Sequence, residues 1–316
     1  MGKLAIALLQ TIALPGFSSL NCHPQPQLHP AVNDLFNSSR SNMPHPGTPD
    51  SSPLDPSDLD QLLKIPAKRI DVAFLPHQVE PEDLRERTVI VTDVLRATTT
   101  VIAAMAHGCQ RVLPQPSVES ARDCHSRHPQ AILGGERRGQ IIPGFHQGNS
   151  PVEYRPENIA GKTLILATTN GTVAMERCRL AQRTLIGAMI NLTAVAQQIP
   201  QHESVTVICS GTDGEFTSED ILFAGALIEK LIPDGQLQAC LERHNQLSDR
   251  GLIALHHWLS VKRAIQEGQS LVDFFRLARG GVNLVKIGLI HDLVFAANID
   301  SHQNVPRLNV PDWAIE

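Results

Sequence analysis

The stretch VIVTDVLRATTTVIAAMAHG, Val89–Gly108, decides the fold. Val89, Ile90, Val91 and Thr92 form a β-branched run of the kind that is buried on both faces of a parallel sheet. The run from Ala97 onward is apolar and reads as a helix. Asp93 therefore stands at a strand exit, and Thr98, Thr99 and Thr100 stand at a helix entry. Between them, Arg96 interrupts what would otherwise be a plain buried turn.

The same unit recurs along the chain. KTLILATTNGTVAMERC, residues 162–178, reads as strand, polar turn and helix. Its Asn-Gly pair could mark a hairpin, but the helical pattern after it favours a strand-to-helix turn. SVTVICSGTDGEFTSEDILFAGALIEKL, residues 204–231, repeats the unit with a longer loop, its helix starting near Glu219. RIDVAFLP, residues 69–76, reads as the first strand, and QRTLIGAMIN followed by LTAVAQQI adds another strand and helix. Alternation of this kind predicts an α/β sheet covered on both faces. Ligands in such sheets gather where strand C-termini meet helix N-termini, which is where this chain concentrates its polar residues.

Composition narrows the class. A chain of 316 residues with 42% hydrophobic and 19% charged residues and a net charge of −5 is mildly acidic and able to build a core. It offers no basic stripe to nucleic acid. Its six cysteines form no CxxC pair, so they read as reduced thiols of a cytoplasmic protein rather than a disulfide scaffold or zinc site. The N-terminal run MGKLAIALLQTIALPGF is interrupted by Gln10 and followed by no A-x-A cleavage site, so secretion is not expected. No other segment approaches the roughly 18 to 20 apolar residues of a membrane span. From about Pro24 to Pro66, proline, serine, asparagine and aspartate dominate. Residues 1–66 are expected to be a disordered extension, and 67–316 the folded domain.

Four segments carry candidate chemistry. Asp93 and Thr98 suit N-capping, but Asp93 with Arg96 also suits a cation and a phosphate. GGERRGQIIPGFHQGNSP, residues 134–151, brings Glu136, Arg137, Arg138 and Asn149 on a long loop whose Ile141 and Phe145 argue against disorder. ATTNGT, residues 167–172, offers Thr169, Asn170 and Thr172. In the TSED segment, Asp220 gains interest beside Asp93 and Glu136, although acids in a first helical turn are ordinary. Near the C-terminus, Gly280-Gly281 suits either a close approach or a helix break, while Asp292 reads as a turn residue before a strand-like LVFAA.

Several catalytic classes are excluded. GxxxxGK[ST], GxGxxG and GxSxG are absent. Glu215 stands where a cysteine phosphatase loop following Cys209 needs arginine. Leu95 takes the second acid position of a DxDxT pattern.

DVLRATTT, GGERRGQIIPGFHQGNSP, TTNGT and FTSEDILFAG, in this order from about Arg69 onward, closely resemble the 2-phosphosulfolactate phosphatase (ComB) family. The resemblance implies a three-layer α/β/α fold with a mixed, largely parallel sheet. It implies a Mg²⁺-dependent acid phosphatase that hydrolyses 2-phosphosulfolactate to 3-sulfolactate and phosphate, a step in coenzyme M synthesis. On that reading Asp93, Glu136 and Asp220 hold Mg²⁺. Asp93, Arg96, Glu136 and Arg137 carry the chemistry. Thr98, Asn149, Thr169, Asn170 and Thr172 bind substrate. One departure stands out: the family usually has Asp in GFDLGNSP where this chain has His146 with Gln147, so metal binding or substrate choice is expected to differ if that acid touches the ion. Two alternatives remain, a phosphatase of another small phosphorylated acid and a non-catalytic protein binding a phosphorylated or sulfonated metabolite. A homodimer is the default assembly.

Overall fold

The computed structural model describes residues 69–200, 202–232 and 247–316. The extension expected over residues 1–66 lies outside the described residues. The strands are β1 (Ile70–Ala73), β2 (Thr88–Thr92), β3 (Arg111–Gln115), β4 (Ile132–Arg137), β5 (Gln140–Ile141), β6 (Thr163–Ala167), β7 (Arg183–Gly187), β8 (Val205–Cys209), β9 (Arg307–Asn309) and β10 (Ala314–Ile315). The α-helices are α1 (Ala97–Ala106), α2 (Val118–Arg127), α3 (Pro156–Ile159), α4 (Gly171–Arg177), α5 (Leu192–Gln197), α6 (Ser218–Leu231), α7 (Asp249–Gln266), α8 (Leu271–Leu277), α9 (Arg279–Lys286) and α10 (Ile290–Ala296). No helix among the described residues is long and apolar enough to cross a membrane.

The strands form one sheet in the order β1-β8-β2-β7-β9-β10-β3-β6-β4-β5. Two parallel blocks, β1-β8-β2-β7 and β3-β6-β4, flank a hairpin made by the last two strands. β9 pairs antiparallel with β7 through Thr184↔Leu308, and β10 pairs antiparallel with β3 through Ile315↔Val112. The fold is the expected three-layer α/β one with a mixed, mostly parallel sheet.

Strand faces divide as their alternation dictates. From β2, Ile90 points into one apolar cluster while Val89 and Val91 point into another. The first cluster joins the β1-β8-β2-β7 block to α5–α10 through residues such as Phe223, Trp258 and Phe275. A separate cluster seats α2 on the second block through Ala121 and Cys124 against Leu133 and Ile165. The remaining cluster draws on both blocks, with Val91 and Leu166 together, and takes in Val101, Ile102 and Ala104 of α1. α1 is buried from Ala97 to Ala104, as befits a helix that is apolar on all sides.

The sheet therefore curls around α1. Four strands separate β2 from β6, and three antiparallel steps reverse the second block, so a flat sheet would hold their C-terminal ends at opposite edges and more than about 24 Å apart at ~4.8 Å per strand. Yet a Cβ on Gly171, just past β6, would lie 3.1 Å from Asp93 Oδ2, just past β2. The curl brings two blocks' strand exits to one place.

Several details differ from the sequence expectation. The segment LVFAA is helical and belongs to α10, because its apolar residues pack on one side only, with Leu293 and Ala296 buried and Val294 exposed. The loop over residues 134–151 is partly regular: β4 runs through Arg137 and turns back as β5. The helices α7 and α8 fill a stretch in which the sequence reading placed no element, and α9 runs through the Gly280-Gly281 pair.

Candidate active site

The curled edge encloses a cavity of about 560 Å³. Asp93 and Glu136 line it together, one from the exit of β2 and one from the end of β4. Asp93 Oδ1 accepts the Ala97 amide at 3.2 Å, the ordinary use of an acid at a helix entry. Among the described residues no hydrogen-bond donor is recorded for its Oδ2. Glu136 is turned by its neighbours. Its Oε1 accepts from Thr169 N at 3.1 Å and from Thr169 Oγ1 at 3.0 Å, and its Oε2 accepts from Gly139 N at 2.8 Å.

Glu136 owes its place to the preceding glycine. Gly135 has φ +148°, and a Cβ there would stand 2.2 Å from the Ala167 carbonyl oxygen of β6. Only a residue without a side chain lets β4 run this close to its neighbour.

Arg96 also lines the cavity but is already held. Its Nη1 donates to Asp292 Oδ2 at 2.8 Å and its Nη2 donates to the Gly139 carbonyl at 2.8 Å. Asp292, in the first turn of α10, is fully buried, and its Oδ1 accepts from Ser150 Oγ. The expected free phosphate clamp is thus a braced one, with the remaining N–H groups of the guanidinium left for a ligand. Asp292 is the acid that sequence reasoning set aside as a turn residue. Its one signal was an acid embedded between apolar residues on both sides.

The expected polar ligands fall into two groups. Asn149, Thr169 and Asn170 line the cavity. Asn149 is buried, and its Oδ1 has no partner. Thr98 and Thr172 do not line it. Thr98 Oγ1 exchanges hydrogen bonds with the Asp93 backbone, accepting from its amide at 3.0 Å and donating to its carbonyl at 2.9 Å. Thr172 Oγ1 donates to the Thr168 carbonyl at 3.0 Å, one turn back along the chain. Both hydroxyls are consumed by local backbone, which is the rule for threonine at helix starts.

Asp220 needs the same correction. Its Oδ1 accepts from Val94 N at 2.8 Å and its Oδ2 from Gly211 N at 3.0 Å. It ties the loop after β2 to the loop after β8 and does not line the cavity. Among the described residues no three His, Cys, Asp or Glu side chains are grouped as a metal cage, so the expected Asp93–Glu136–Asp220 set is not assembled. Two carboxylates remain in the cavity wall beside each other's field.

Burial is the main electrostatic fact. It pushes the Asp93 carboxyl up to about 8, helped by the charges of Asp220 and Glu136 and opposed by the Ala97 amide. Burial and then Glu219 push Asp220 up to about 8, against the amides of Val94 and Gly211. Glu219, which the sequence reading left as a helix-start acid, is raised to about 7, chiefly by burial and further by Asp93, and its Oε2 has no partner. A cluster of buried acids short of positive charge calls for a cation. Mg²⁺ binds through one or two carboxylates and fills its other positions with water and phosphate oxygens. Asp93 with an unpartnered Oδ2, and Glu136 with lone pairs to spare, fit that donor set.

Positive charge lies elsewhere on the wall. Arg137 and Arg138 on the β4–β5 turn and Lys286 at the end of α9 line the cavity. Among the described residues none of the three has a carboxylate within 4 Å. The site therefore joins a carboxylate pair to cations with no close carboxylate among the described residues, an arrangement suited to a metal-bound anion.

A family model described as 2-phosphosulpholactate phosphatase matches residues 73–310. The chain belongs to this family. A probable 2-phosphosulfolactate phosphatase of Caldanaerobacter subterraneus subsp. tengcongensis is 42% identical over 235 residues, covering 73% of this chain and 92% of the relative. Relatives carrying the same description come from Symbiobacterium thermophilum, 36% identical over 71% of this chain and 92% of their own, and from Thermotoga maritima, 33% identical over 70% and 89%. The departure at His146 from the acid of the 2-phosphosulfolactate phosphatase family lies away from the cavity. His146 Nδ1 accepts the Leu133 amide at 2.9 Å, and the ring stands 5.6 Å from that of His125. A carboxylate can accept the same N–H, so this position fastens the loop to β4 and does not reach the carboxylate pair.

Proposed function

We propose that the chain is a Mg²⁺-dependent phosphatase that hydrolyses 2-phosphosulfolactate to 3-sulfolactate and phosphate. The observation that carries this reading is one cavity holding Asp93 and Glu136 together with the cations Arg137, Arg138 and Lys286, none of which has a carboxylate within 4 Å among the described residues. The names of the family relatives supply the substrate. The reading extends to a cytoplasmic role in coenzyme M synthesis, in keeping with four buried free thiols at Cys109, Cys124, Cys178 and Cys209.

Asp93 and Glu136 would hold the Mg²⁺. When bound, the ion neutralises charge on the phosphoryl group and acidifies water. Thr169 and Gly139 keep the Glu136 carboxylate turned toward the cavity. Arg96, braced by Asp292 and the Gly139 carbonyl, directs its remaining N–H groups at phosphoryl oxygens with little rotamer freedom to lose. Arg137 adds charge beside Glu136. Asn149 and Asn170 contribute neutral amide donors that fix orientation without adding charge. In the overall reaction water oxygen bonds to phosphorus, the bond from phosphorus to the ester oxygen breaks, and that oxygen leaves with a proton as the alcohol of sulfolactate.

The test is phosphate release by the full chain from 2-phosphosulfolactate and a panel of small phosphoesters, with Mg²⁺ and with EDTA. Mg²⁺-dependent release, fastest from 2-phosphosulfolactate, is expected. Release from another ester alone would leave the site chemistry and discard the substrate. Binding without any release would replace the enzyme by a binding protein.

A further inference from the structure

Resting on the phosphatase reading, the geometry points to α9 as the wall that reads the substrate's second acidic group, and we infer that Lys286 is its recognition residue. Gly280, Asn283 and Lys286 line the cavity at three-residue spacing, and Leu284 and Ile287 line it beside them. That spacing puts one helix face against the cavity over its whole length. The helix is seated closely. A Cβ on Gly280 would lie 2.2 Å from Glu219 Oε1, and one on Gly281 would lie 1.8 Å from the Phe275 carbonyl. Its lining face is thus fixed to α6 and α8, independently of the hairpin that carries the arginines.

The charges divide by element. Arg137 and Arg138 adjoin Glu136 in sequence and so belong to the reacting end. Two arginines and a metal ion are ample for a phosphate dianion. Lys286 comes from another part of the chain and has no carboxylate within 4 Å among the described residues. A bland reading exists, since lysine is ordinary in a last helical turn, but it gives no reason for the same face to line the cavity. An ammonium on a flexible stem is a point charge without fork geometry. It suits a sulfonate or carboxylate, whereas the arginines suit phosphate. Asn283, one turn back on the same face, can add a neutral donor to the same acid. Leu284 and Ile287 supply an apolar surface between them for the carbon skeleton. The acid read by Lys286 then sits on the carbon that bears the ester or on its neighbour, and 2-phosphosulfolactate carries one at each.

The experiment compares two esters of one skeleton, 2-(phosphooxy)propanoate and isopropyl phosphate, with the full chain and Mg²⁺. In Lys286→Met the preference for the acid-bearing ester, taken as the ratio of kcat/KM values, falls about tenfold through KM, as expected for one lost charge-assisted contact. Lys286→Arg restores most of it. A ratio that holds, or an equal loss on both esters, overturns the inference, because Lys286 then serves the phosphoryl group or nothing. Should neither ester be hydrolysed by the parent chain, release from 2-phosphosulfolactate tests the phosphatase reading separately, and calorimetric titration with sulfoacetate decides the role of Lys286. Weaker sulfoacetate binding by Lys286→Met supports the recognition role, and equal or absent binding in both proteins overturns it.

Discussion

Asp93 combines two uses in one side chain. Oδ1 caps α1 through the Ala97 amide, and Oδ2 is left for the cavity. Asp93→Asn keeps the shape and removes the charge. Phosphate release is expected to fall at least about 100-fold in kcat, on the scale of losing a central charged group, and near-parent turnover in a steady-state assay would remove Asp93 from the site. Asp292 behaves differently. It does not line the Asp93–Glu136 cavity, and its change acts through Arg96. Asp292→Asn leaves a guanidinium that is only 4% exposed without its counter-charge. Removing one partner of a buried pair costs about 3 kcal/mol or more, to be read from urea unfolding, and a loss under ~1 kcal/mol would contradict the buried pair. Asp93, Thr169 and Asn170 were legible in sequence because each follows a strand closely, and Glu136 and Asn149 because they belong to the glycine-rich polar stretch 134–151. Asp292 was not, because its partners lie 196 and 142 residues away, and no local pattern encodes such a contact.

At the scale of elements, the strand–loop–helix units of the sequence correspond to β2–α1, β6–α4, β7–α5 and β8–α6. Their apolar runs and polar helix entries are local signals. The hairpin β9–β10 and the short edge strand β5 were missed because two or three residues carry no periodicity. α10 was mistaken for a strand for a related reason: five apolar residues fit either period until burial on one side selects the helix. Gly135 gives this scale its prediction. In Gly135→Ala the new Cβ meets the backbone of β6, which cannot swing aside as a side chain can. Stability should drop by about 2 kcal/mol, measured by denaturant midpoint, and activity should fall with it because Glu136 is the next residue. An unchanged midpoint would mean that β4 and β6 are farther apart.

For the whole molecule, the buried acids set the response to pH. Unfolded, Asp93, Asp220 and Glu219 titrate near about 4. Folded, burial raises the first two to about 8 and the third to about 7. The folded state holds the extra protons between those limits. Stability from these groups is full below about pH 4 and is lost as pH rises through about 7 to 8. EDTA-treated protein is expected to melt at a lower temperature near pH 8.5 than near pH 5.5. Mg²⁺ at the Asp93–Glu136 pair should recover part of the difference, since a bound ion adds stability by mass action. Calorimetric scans that are flat with pH in EDTA would place these acids nearer to solvent.

The hairpin at the centre of the sheet has a consequence for synthesis. β9 and β10 are made after every strand they join, and their rungs reach β7 on one side and β3 on the other. A ribosome delivering the chain from its N-terminus can release each parallel block as it is completed, but the joint between them waits for residues 307–315. Until then each block has a bare edge where the hairpin belongs, and bare edges invite pairing with other chains. Until those residues emerge the nascent protein is exposed to mispairing along two bare edges, and a chain cut short before residue 307 would hold two blocks that lack their joint.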